Sequence, residues 1–236
     1  MKKVLIFFGS KGYGQAKIRL YKSAVAYFDE IISYGEEDIE REFYISNIKI
    51  FQYQRGWGFW LWKPYFIFKT LDKLAPGDLC FYVDVTSVFV SSPEKLFNTC
   101  RQTNGILLFD NMNFRNDVWT KMDCFNLMGL TADKYLFGKQ VNAAFQLYQK
   151  TENSSSFVKE LLYYAQNFNI LSDAPNITGN NLAEFKDHRH EQSILSLLAI
   201  KYNVTVIRSP WQYGNHPGEQ IIDLRRDVNV VHYKLT

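Results

Sequence analysis

Val4-Leu5-Ile6-Phe7-Phe8-Gly9-Ser10, near the start of this 236-residue chain, is the segment from which its architecture is predicted. Five consecutive apolar residues, closed by glycine and serine, are typical of a short buried strand. Apolar side chains at helical spacing follow over residues 16–28, and a second apolar run lies within Glu30–Tyr34. This order of strand, helix and strand predicts parallel strands joined by a right-handed crossover.

The rest of the chain continues the alternation. Further strands are predicted at residues 79–83, 88–90, 106–109, 143–148, 204–207 and 228–232. Helices are predicted at residues 36–43, from Pro64 to a loop at 75–78, at 121–128 with Thr120 as its cap and Asp123 completing an acidic capping box, at 154–168 and at 191–202. No repeat, low-complexity tract or flexible linker divides the sequence. We therefore expect one α/β domain over residues 1–236, with a mixed, mostly parallel central sheet flanked by helices.

Composition limits the classes of function. Hydrophobic residues make up 47 % of the chain, which provides for a full core and excludes intrinsic disorder. Aromatic residues reach 17 %, and this excess suggests rings that stack on a planar ligand. A net charge of +3 is too small to argue for nucleic acid, although it suits an anionic ligand or at most peripheral contact with an acidic membrane.

Cysteine usage and the lack of targeting signals predict a cytoplasmic protein. Cys80, Cys100 and Cys124 stand far apart, and their odd number without a C-x-x-C motif disfavours a disulfide framework or a zinc site. The apolar run after Met1 stops at Gly9, which is too short for a secretory signal peptide. No stretch of sequence approaches the ~20 apolar residues that span a bilayer.

The loop after the first strand resembles two phosphate-binding motifs and completes neither. Gly12-x-Gly14 lacks the third glycine of the dinucleotide fingerprint, and Gly9-x-x-x-x-Gly14 is not followed by the Lys-Ser/Thr of a P-loop. The residues fit either a nucleotide-contacting loop or an ordinary connection from strand to helix. The position favours a ligand, because ligands of open α/β sheets collect beyond the carboxyl ends of strands.

Asp84 follows the predicted strand of residues 79–83 at another such end. A carboxylate there is suited to hold a divalent metal that bridges two phosphates of a nucleotide. A second acid two residues later would strengthen the motif, but that position is Thr86. The alternative is an aspartate that caps a turn where the strand ends.

The most unusual segment, residues 55–64, reads Arg-Gly-Trp-Gly-Phe-Trp-Leu-Trp-Lys-Pro and holds three tryptophans within six residues. Lys63 stands just before the predicted helix, so a phosphate there would meet both an ammonium and the helix dipole. Trp60 and its neighbours either contact a ligand or form a small aromatic core that fixes the loop to the sheet. We expect at least half of these rings to serve only as core.

Two acids that precede or open predicted helices are candidate catalytic carboxylates. Asp117 precedes the helix at 121–128, and Glu191 opens the helix at 191–202 directly after His188 and His190. The histidines and Glu191 could ligate zinc, but they lack the H-E-x-x-H spacing, and Glu191 equally suits a helix start, where its charge offsets the dipole. His232, near the carboxyl terminus, is either a strand-end histidine or a late metal ligand.

Taken in order, these segments resemble the GT-A-type glycosyltransferases, and most closely the small bacterial and viral nucleotide-sugar transferases related to capsule and lipopolysaccharide enzymes. The resemblance runs through most of the chain. It rests on residues 28–32 and 37–39, on Gly-Phe-Trp-Leu-Trp-Lys-Pro-Tyr at 58–65, on Pro-Gly-Asp at 76–78 leading to Tyr-Val-Asp at 82–84, on Trp-Thr-Lys-x-Asp at 119–123, and on His-Arg-His-Glu-Gln-Ser-Ile at 188–194, where glutamate replaces the usual aspartate.

The resemblance implies a Rossmann-like nucleotide half and an acceptor half on one continuous sheet. It implies transfer of a sugar from a UDP- or GDP-sugar, usually with Mn²⁺ or Mg²⁺, to a hydroxyl of a glycan or glycolipid. By position it places Phe8 and Gly9 near the base and ribose, Trp60 and Lys63 near the donor, Asp84 and Thr86 at the metal and diphosphate, Asp117 and Glu191 at the sugar or acceptor, and His232 at the metal. Because Thr86 replaces the second acid, either Asp84 holds the metal alone or the enzyme depends only weakly on metal.

The residues leave open how the reaction proceeds and whether it occurs. In an inverting transferase, Asp117 or, preferably, Glu191 is the base that deprotonates the attacking hydroxyl. In a retaining one, the same residues steady an oxocarbenium-like donor. A non-catalytic carbohydrate- or nucleotide-binding module of the same fold would show the same aromatic segment and incomplete metal motif. Gly12-x-Gly14 also suggests a dinucleotide oxidoreductase, which the missing third glycine disfavours.

Overall fold

The strands form one large sheet and one small sheet. A computed structural model describes residues 1–214 and 218–225. Over these residues the strands are β1 (Lys3–Phe8), β2 (Glu30–Tyr34), β3 (Leu79–Val83), β4 (Ser87–Phe89), β5 (Ile106–Arg115), β6 (Lys139–Gln149), β7 (Thr205–Ile207) and β8 (Ile222–Leu224). The large sheet has the strand order β2-β1-β3-β6-β5-β7, and β4 pairs with β8 in the small one.

Strand direction in the large sheet is mixed and mostly parallel, which confirms the predicted architecture. β1 pairs in parallel with β2 and β3, and β5 pairs in parallel with β7. β6 lies between β3 and β5 and is antiparallel to both. The carboxyl ends of β1, β2 and β3 therefore lie at one edge of the sheet. β6 runs in the opposite direction, so its residues before the paired segment lie at that same edge.

The helices lie on both faces of the sheet. They are α1 (Gly14–Ala24), α2 (Arg41–Ser46), α3 (Ile48–Phe51), α4 (Gly56–Phe59), α5 (Trp62–Lys73), α6 (Glu94–Gln102), α7 (Asn116–Trp119), α8 (Met122–Met128), α9 (Asp133–Leu136), α10 (Glu152–Ala165), α11 (Phe168–Leu171) and α12 (Glu191–Lys201). α5 and α12 both pack against α10, and α12 also packs against β6.

The alternation of side chains in β1 shows how two core layers form. Successive residues of a strand point to opposite faces. Val4, Ile6 and Phe8 join the core layer that contains α5, α10 and α12, whereas Leu5 and Phe7 join the layer that contains α1 and α6. All five side chains are buried, which explains why this strand is continuously apolar and not alternating.

The predicted helix over residues 36–43 was wrong. A single 3₁₀ turn occupies Glu36–Asp38, Ile39 is extended with φ −76° and ψ 123°, and α2 begins only at Arg41. The Asp38 carboxylate accepts the backbone N–H of Gly35 at 2.7 Å. This short-range bond closes the turn and competes with continuation as an α-helix.

The predicted capping box at Thr120 and Asp123 was also wrong. α8 begins at Met122, and the Thr120 hydroxyl accepts a hydrogen bond from Gln140 of β6 at 3.1 Å. The Asp123 carboxylate accepts the backbone N–H groups of Ile177 and Thr178 at 3.0 and 2.9 Å. Both side chains are therefore used by segments that lie far away in the sequence.

Other differences concern boundaries and several elements that were not predicted. α1 ends four residues before the predicted end, β5 and β6 extend beyond the predicted residues 106–109 and 143–148, and α10 ends at Ala165, before Asn167 caps α11. α5 begins at Trp62, with Pro64 in its first turn, where a missing N–H costs no helix bond. The elements that were not predicted are α3, α4, α6, α7, α9, α11 and β8. The strand predicted at 228–232 lies outside the described residues.

Candidate active site

Two cavities meet at the carboxyl end of β3. The tryptophan cavity, of about 520 Å³, is lined by Phe8, Gly9, Ser10, Tyr13, Gln54, Gly56, Trp57, Trp60, Trp62, Tyr82, Asp84, Val85 and Thr86. The arginine cavity, of about 510 Å³, is lined by Arg55, Trp60, Lys63, Asp84, Thr86, Asn111, Phe114, Asn142, Ala143, Ala144, Arg189, His190, Glu191, Gln192, Trp211 and Leu224. Trp60, Asp84 and Thr86 line both, so a ligand that filled both cavities would pass these three residues.

The sheet register explains why distant residues meet here. β1 and β3 are parallel neighbours, with Ile6 opposite Tyr82. Phe8 and Asp84, two residues further on, therefore reach the same edge of the sheet. This is the edge at which open α/β sheets bind ligands.

Asp84 lies at the junction of the two cavities. Its backbone N–H donates to the carbonyl of Ala144 in β6 at 2.9 Å, and its side chain is 40 % exposed. The Tyr82 hydroxyl donates to Oδ1 at 2.7 Å, and the Lys63 ammonium lies 3.5 Å from the same oxygen. One carboxylate oxygen is thus held by the protein while the side chain remains accessible from the cavities.

Lys63 and Glu191 form a buried ion pair beside Asp84. Lys63 Nζ lies 2.6 Å from Glu191 Oε1 and also donates to the Ala143 carbonyl at 3.2 Å. Both side chains are at most 5 % exposed. Burial lowers the pKa of Lys63, but the carboxylates of Asp84 and Glu191 outweigh it and the net pKa is raised. Burial raises the pKa of Glu191, and Lys63 opposes this only in part.

Asp84 fits a role as a single carboxylate ligand of a divalent cation. Within the described residues, Oδ2 of Asp84 accepts no hydrogen bond. No group of three or more His, Cys, Asp or Glu side chains in residues 1–214 and 218–225 is arranged to hold a metal. Mg²⁺ is commonly held by one or two carboxylates together with substrate phosphates and water, so one carboxylate is sufficient if a diphosphate supplies further oxygens.

The tryptophan-rich loop, residues 55–62, has an unusual backbone, and the short α4 within it is not a regular right-handed helix. Gly56, Trp57, Gly58, Phe59 and Trp60 all have positive φ, between 45° and 78°. Three of these five are not glycine, and such residues rarely occupy this region without support from surrounding contacts. Strained backbone of this kind is concentrated at binding and catalytic sites. The strained backbone of this loop and Asp84 therefore indicate the same site.

Gly58→Ala is expected to destabilise the protein by about 1–3 kcal/mol. Gly58 has φ +78°, and a Cβ there would lie 2.9 Å from Phe51 Cδ1 and 3.2 Å from Phe51 Cα. Urea denaturation measures the change. Gly12→Ala is the matched control, because a Cβ at Gly12 meets no atom within 4 Å. Equal stability of the two variants would contradict the positive φ and the close packing against Phe51 described for Gly58.

The rings of this loop divide into core and cavity wall. Trp62 and Phe8 are buried, with centroids 4.0 Å apart, and Trp62 Nε1 donates to the Gly56 carbonyl at 2.9 Å. Trp57 also stacks with Phe8, with ring centroids 5.7 Å apart. Trp60 is only partly buried and borders both cavities. Phe8 thus contributes mainly to the aromatic packing that fixes the loop, and Trp60 is the ring best placed to contact a ligand in either cavity.

The histidines near Glu191 hold the loop before α12 in place. His188 Nε2 donates to the Ile170 carbonyl at 2.9 Å, and Nδ1 accepts the Lys121 N–H at 3.3 Å, so the ring is neutral. Burial moves the pKa of His188 well below its ordinary value. His190 Nε2 bonds Asp173 at 2.9 Å. Both rings are engaged by other groups, which argues against the zinc arrangement considered from the sequence.

Asp173 links His190 to Arg55, and both of these partners line the arginine cavity. Arg55 bonds Asp173 at 3.0 Å and Asp187 at 2.7 Å. Burial would raise the pKa of Asp173, but the hydrogen bond with His190 and the charge of Arg55 lower it to about 2. The carboxylate is therefore more acidic in the folded protein than in the unfolded chain, where its pKa is about 3.9.

Asp173→Asn is expected to destabilise the protein near neutral pH, by an amount that shrinks as the pH falls. Because the folded pKa is depressed, the contribution of Asp173 is complete above about pH 5 and is lost as the pH approaches about 2. Urea midpoints at about pH 6 and about pH 2.5 test this. The exposed Asp72→Asn serves as control. A difference between wild type and Asp173→Asn that stays constant with pH would refute the assignment.

Asp117 lies away from both cavities, unlike the other candidate carboxylate. Its side chain is buried and forms an ion pair with Arg115, with Arg115 Nε 2.9 Å from Oδ1. The hydrogen bond from Arg115 lowers the pKa of Asp117.

Most of the site residues predicted from the sequence line one of the two cavities. These residues are Phe8, Gly9, Trp60, Lys63, Asp84, Thr86 and Glu191. Asp117 lines neither cavity. His232 lies beyond the described residues.

Several cavity residues were not identified from the sequence. Tyr82 donates to Asp84, Arg189 lines the arginine cavity, and Asn142 lies on β6 where that strand passes the site. Tyr82 and Arg189 stand inside segments already singled out, at 82–84 and 188–194. Asn142 had no such signal, because only the antiparallel pairing of β6 with β3 brings it to this edge.

Two solved structures share this architecture. Apo xyloside xylosyltransferase 1 from mouse superposes with a TM-score of 0.54 at 11 % identity, over 96 % of this chain and 98 % of that one. The apo structure of WbbM, described as a bifunctional glycosyltransferase, superposes with a TM-score of 0.52 at 9 % identity, over 89 % of this chain and 39 % of that one. The chain thus spans well under half of the WbbM chain.

Comparison of sequences adds no further relative. No protein-family model and no curated protein matches the chain. Among the helices of the described residues, none combines the length and apolar character required to cross a bilayer. The sheet order, the strand-end aspartate and the two structural matches lead to one conclusion about architecture: the chain has the fold of the GT-A-type glycosyltransferases.

Proposed function

We propose that this protein transfers a sugar from a nucleoside-diphosphate sugar to a hydroxyl of a glycan or glycolipid. The observation that carries the proposal is the position of Asp84, between an aromatic cavity and a polar cavity and next to the buried Lys63–Glu191 pair. A nucleotide sugar has matching parts in the same order: a planar base, an anionic diphosphate and a polyhydroxylated ring.

The donor is proposed to bind with its base and ribose in the tryptophan cavity. Phe8, the last residue of β1, lines that cavity together with Gly9 and Trp60. The diphosphate then lies at Asp84 and Thr86, where both cavities meet, and the sugar enters the arginine cavity. The acceptor hydroxyl is proposed to approach that sugar within the arginine cavity, whose lining includes Arg189 and Phe114.

Lys63 and Asp84 are proposed to stabilise the negative charge that develops on the leaving diphosphate, Lys63 directly and Asp84 through a bound divalent cation. The Lys63 ammonium is preorganised by two carboxylates and a carbonyl, so it needs little reorganisation when negative charge develops beside it. Asp84 is the residue that would hold Mn²⁺ or Mg²⁺ through its free oxygen, and Thr86 lines the same two cavities. When bound, such an ion would stabilise the developing charge on the diphosphate as a Lewis acid.

Glu191 is proposed to be the catalytic carboxylate. It lines the arginine cavity at the first residue of α12, whereas Asp117 does not reach either cavity. Its pKa is raised by burial, which moves its proton affinity towards that of a useful base. In an inverting reaction it accepts the proton of the attacking hydroxyl, and in a retaining reaction its negative charge steadies the oxocarbenium-like donor.

The setting proposed for this activity is the cytoplasm, with at most peripheral contact with a membrane. Cys80, Cys100 and Cys124 are all free and buried. Unpaired cysteines are typical of reducing compartments. The proposed catalytic unit is a single domain formed by residues 1–236.

Calorimetry and product release together test the proposed function. Wild-type protein is titrated with UDP- and GDP-sugars, with and without Mn²⁺, and slow release of UDP or GDP is followed in the absence of acceptor. We expect one donor to bind more tightly with Mn²⁺ and to be hydrolysed slowly. Binding without any release would favour the non-catalytic binding module, and no binding of any donor would reject the proposal.

A further inference from the structure

A third cavity lies next to the arginine cavity and has no part in the function proposed above. This outer cavity, of about 530 Å³, is lined by Asn113, Arg115, Val118, Trp119, Glu184 and Lys186. Its size falls within the range of small-molecule sites. None of its lining residues also lines the tryptophan or arginine cavity.

A stack of three side chains forms the boundary between the outer and arginine cavities. Phe114, which lines the arginine cavity, stacks on Trp119, which lines the outer cavity, with centroids 4.9 Å apart and an interplanar angle of 18°. The Arg189 guanidinium, on the arginine-cavity side, lies 4.2 Å from the centroid of Trp119. The two cavities are therefore immediate neighbours, separated by aromatic and guanidinium surfaces.

The polar groups of the outer cavity complement hydroxyl groups. Asn113, Arg115 and Lys186 supply hydrogen-bond donors, and Glu184 supplies acceptors, beside the indole of Trp119. A sugar ring has the same mixture, since its hydroxyls both donate and accept while its C–H faces are apolar. A flat aromatic wall with convergent polar groups therefore suits a sugar better than it suits a purely apolar or a purely anionic ligand.

The side chain of Arg115 is fixed in place by Asp117 and remains accessible to a ligand. The buried Asp117 carboxylate bonds its guanidinium, yet the Arg115 side chain remains 51 % exposed. Fixing an arginine in this way reduces the entropy that is lost when it binds a ligand. Asp117, considered from the sequence as a base, thus acts as a positioning residue for the outer cavity.

We infer that the outer cavity is a subsite for a second sugar unit of an oligosaccharide acceptor. The inference rests on the proposed function, which places the acceptor in the arginine cavity. An acceptor whose terminal sugar faced Glu191 would continue past Phe114 and Trp119, and its next unit would reach Asn113, Glu184 and Lys186. The acceptor class is accordingly a di- or larger saccharide, free or lipid-linked, and not a monosaccharide.

Glycan length is the variable that tests this subsite. Wild type and Glu184→Ala/Lys186→Ala are titrated, with UDP or GDP and Mn²⁺ present, against an array of defined monosaccharides and their di- and trisaccharides. Both substituted side chains are exposed, so the variant is expected to fold. Glu152→Ala/Lys159→Ala removes the same two charges from exposed positions on α10 and is the matched control.

We expect wild type to bind disaccharides or trisaccharides in preference to their monosaccharides, and the Glu184→Ala/Lys186→Ala variant to bind them about tenfold more weakly. The control is expected to bind as wild type does. Equal affinity for monosaccharides and trisaccharides, unchanged binding by the variant, or no glycan binding at all would overturn the inference. Hydrolysis of the donor without acceptor distinguishes failure of the subsite from failure of the proposed function. The rate of this hydrolysis should be equal in wild type and variant. If wild type does not hydrolyse the donor, the result counts against the proposed function and not against the subsite.

Discussion

Lys63→Met is expected to lower the free energy of unfolding by about 3–5 kcal/mol, the largest stability effect predicted for this site. The substitution removes the ammonium that lies 2.6 Å from the buried Glu191 carboxylate. Glu191 would then be a buried charge without a cation, unless it took up a proton. Urea denaturation at neutral pH, followed by circular dichroism, measures the loss.

Adding Glu191→Leu to Lys63→Met is expected to restore much of the lost stability. Replacing both members of a buried ion pair by apolar residues is often neutral, because the cost of desolvating two charges disappears with them. Asp84, whose side chain is 40 % exposed, can be solvated without Lys63. A double variant no more stable than Lys63→Met would mean that the pair is not the principal interaction of Lys63.

Asp84→Asn is expected to reduce kcat/KM for glycosyl transfer by about 10²–10³-fold, as removal of one preorganised electrostatic group commonly does. The amide keeps the size of the side chain and can still accept the Tyr82 hydroxyl bond, so the fold should be retained. It lacks the negative charge that would hold a divalent cation and that helps to fix Lys63. The gain in donor affinity with Mn²⁺ should vanish together with the activity.

Steady-state kinetics and calorimetry on the same preparations check this expectation. Asp72→Asn is the matched control, since Asp72 is 70 % exposed and borders none of the three cavities described above. Its activity should equal that of wild type. Full activity and unchanged Mn²⁺ dependence of Asp84→Asn would remove Asp84 from the site and, with it, the main support for the proposed function.

The order of the elements was predictable because it depends on local patterns. The continuous apolar run of β1, the strand before Asp84 and the apolar helix α12 each carry their own signal, and all three are present as predicted. Boundaries were less predictable. Thr120 and Asp123 form a plausible capping box by spacing, yet their side chains bond Gln140 and the loop at 177–178, which no local pattern reveals.

Asp117 and Glu191 show that local sequence patterns also do not predict which side chains form the site. Each is an acid at the start of a helix, and their surroundings in the sequence favour neither strongly. In the folded chain, Glu191 meets Lys63 at the arginine cavity, whereas Asp117 is buried against Arg115, a residue that lines the outer cavity. Segment order and the strand-end position of Asp84 follow from side-chain periodicity along the chain. The pairing of charges does not, since it depends on which helices and strands pack together and on how well each charge is shielded from water.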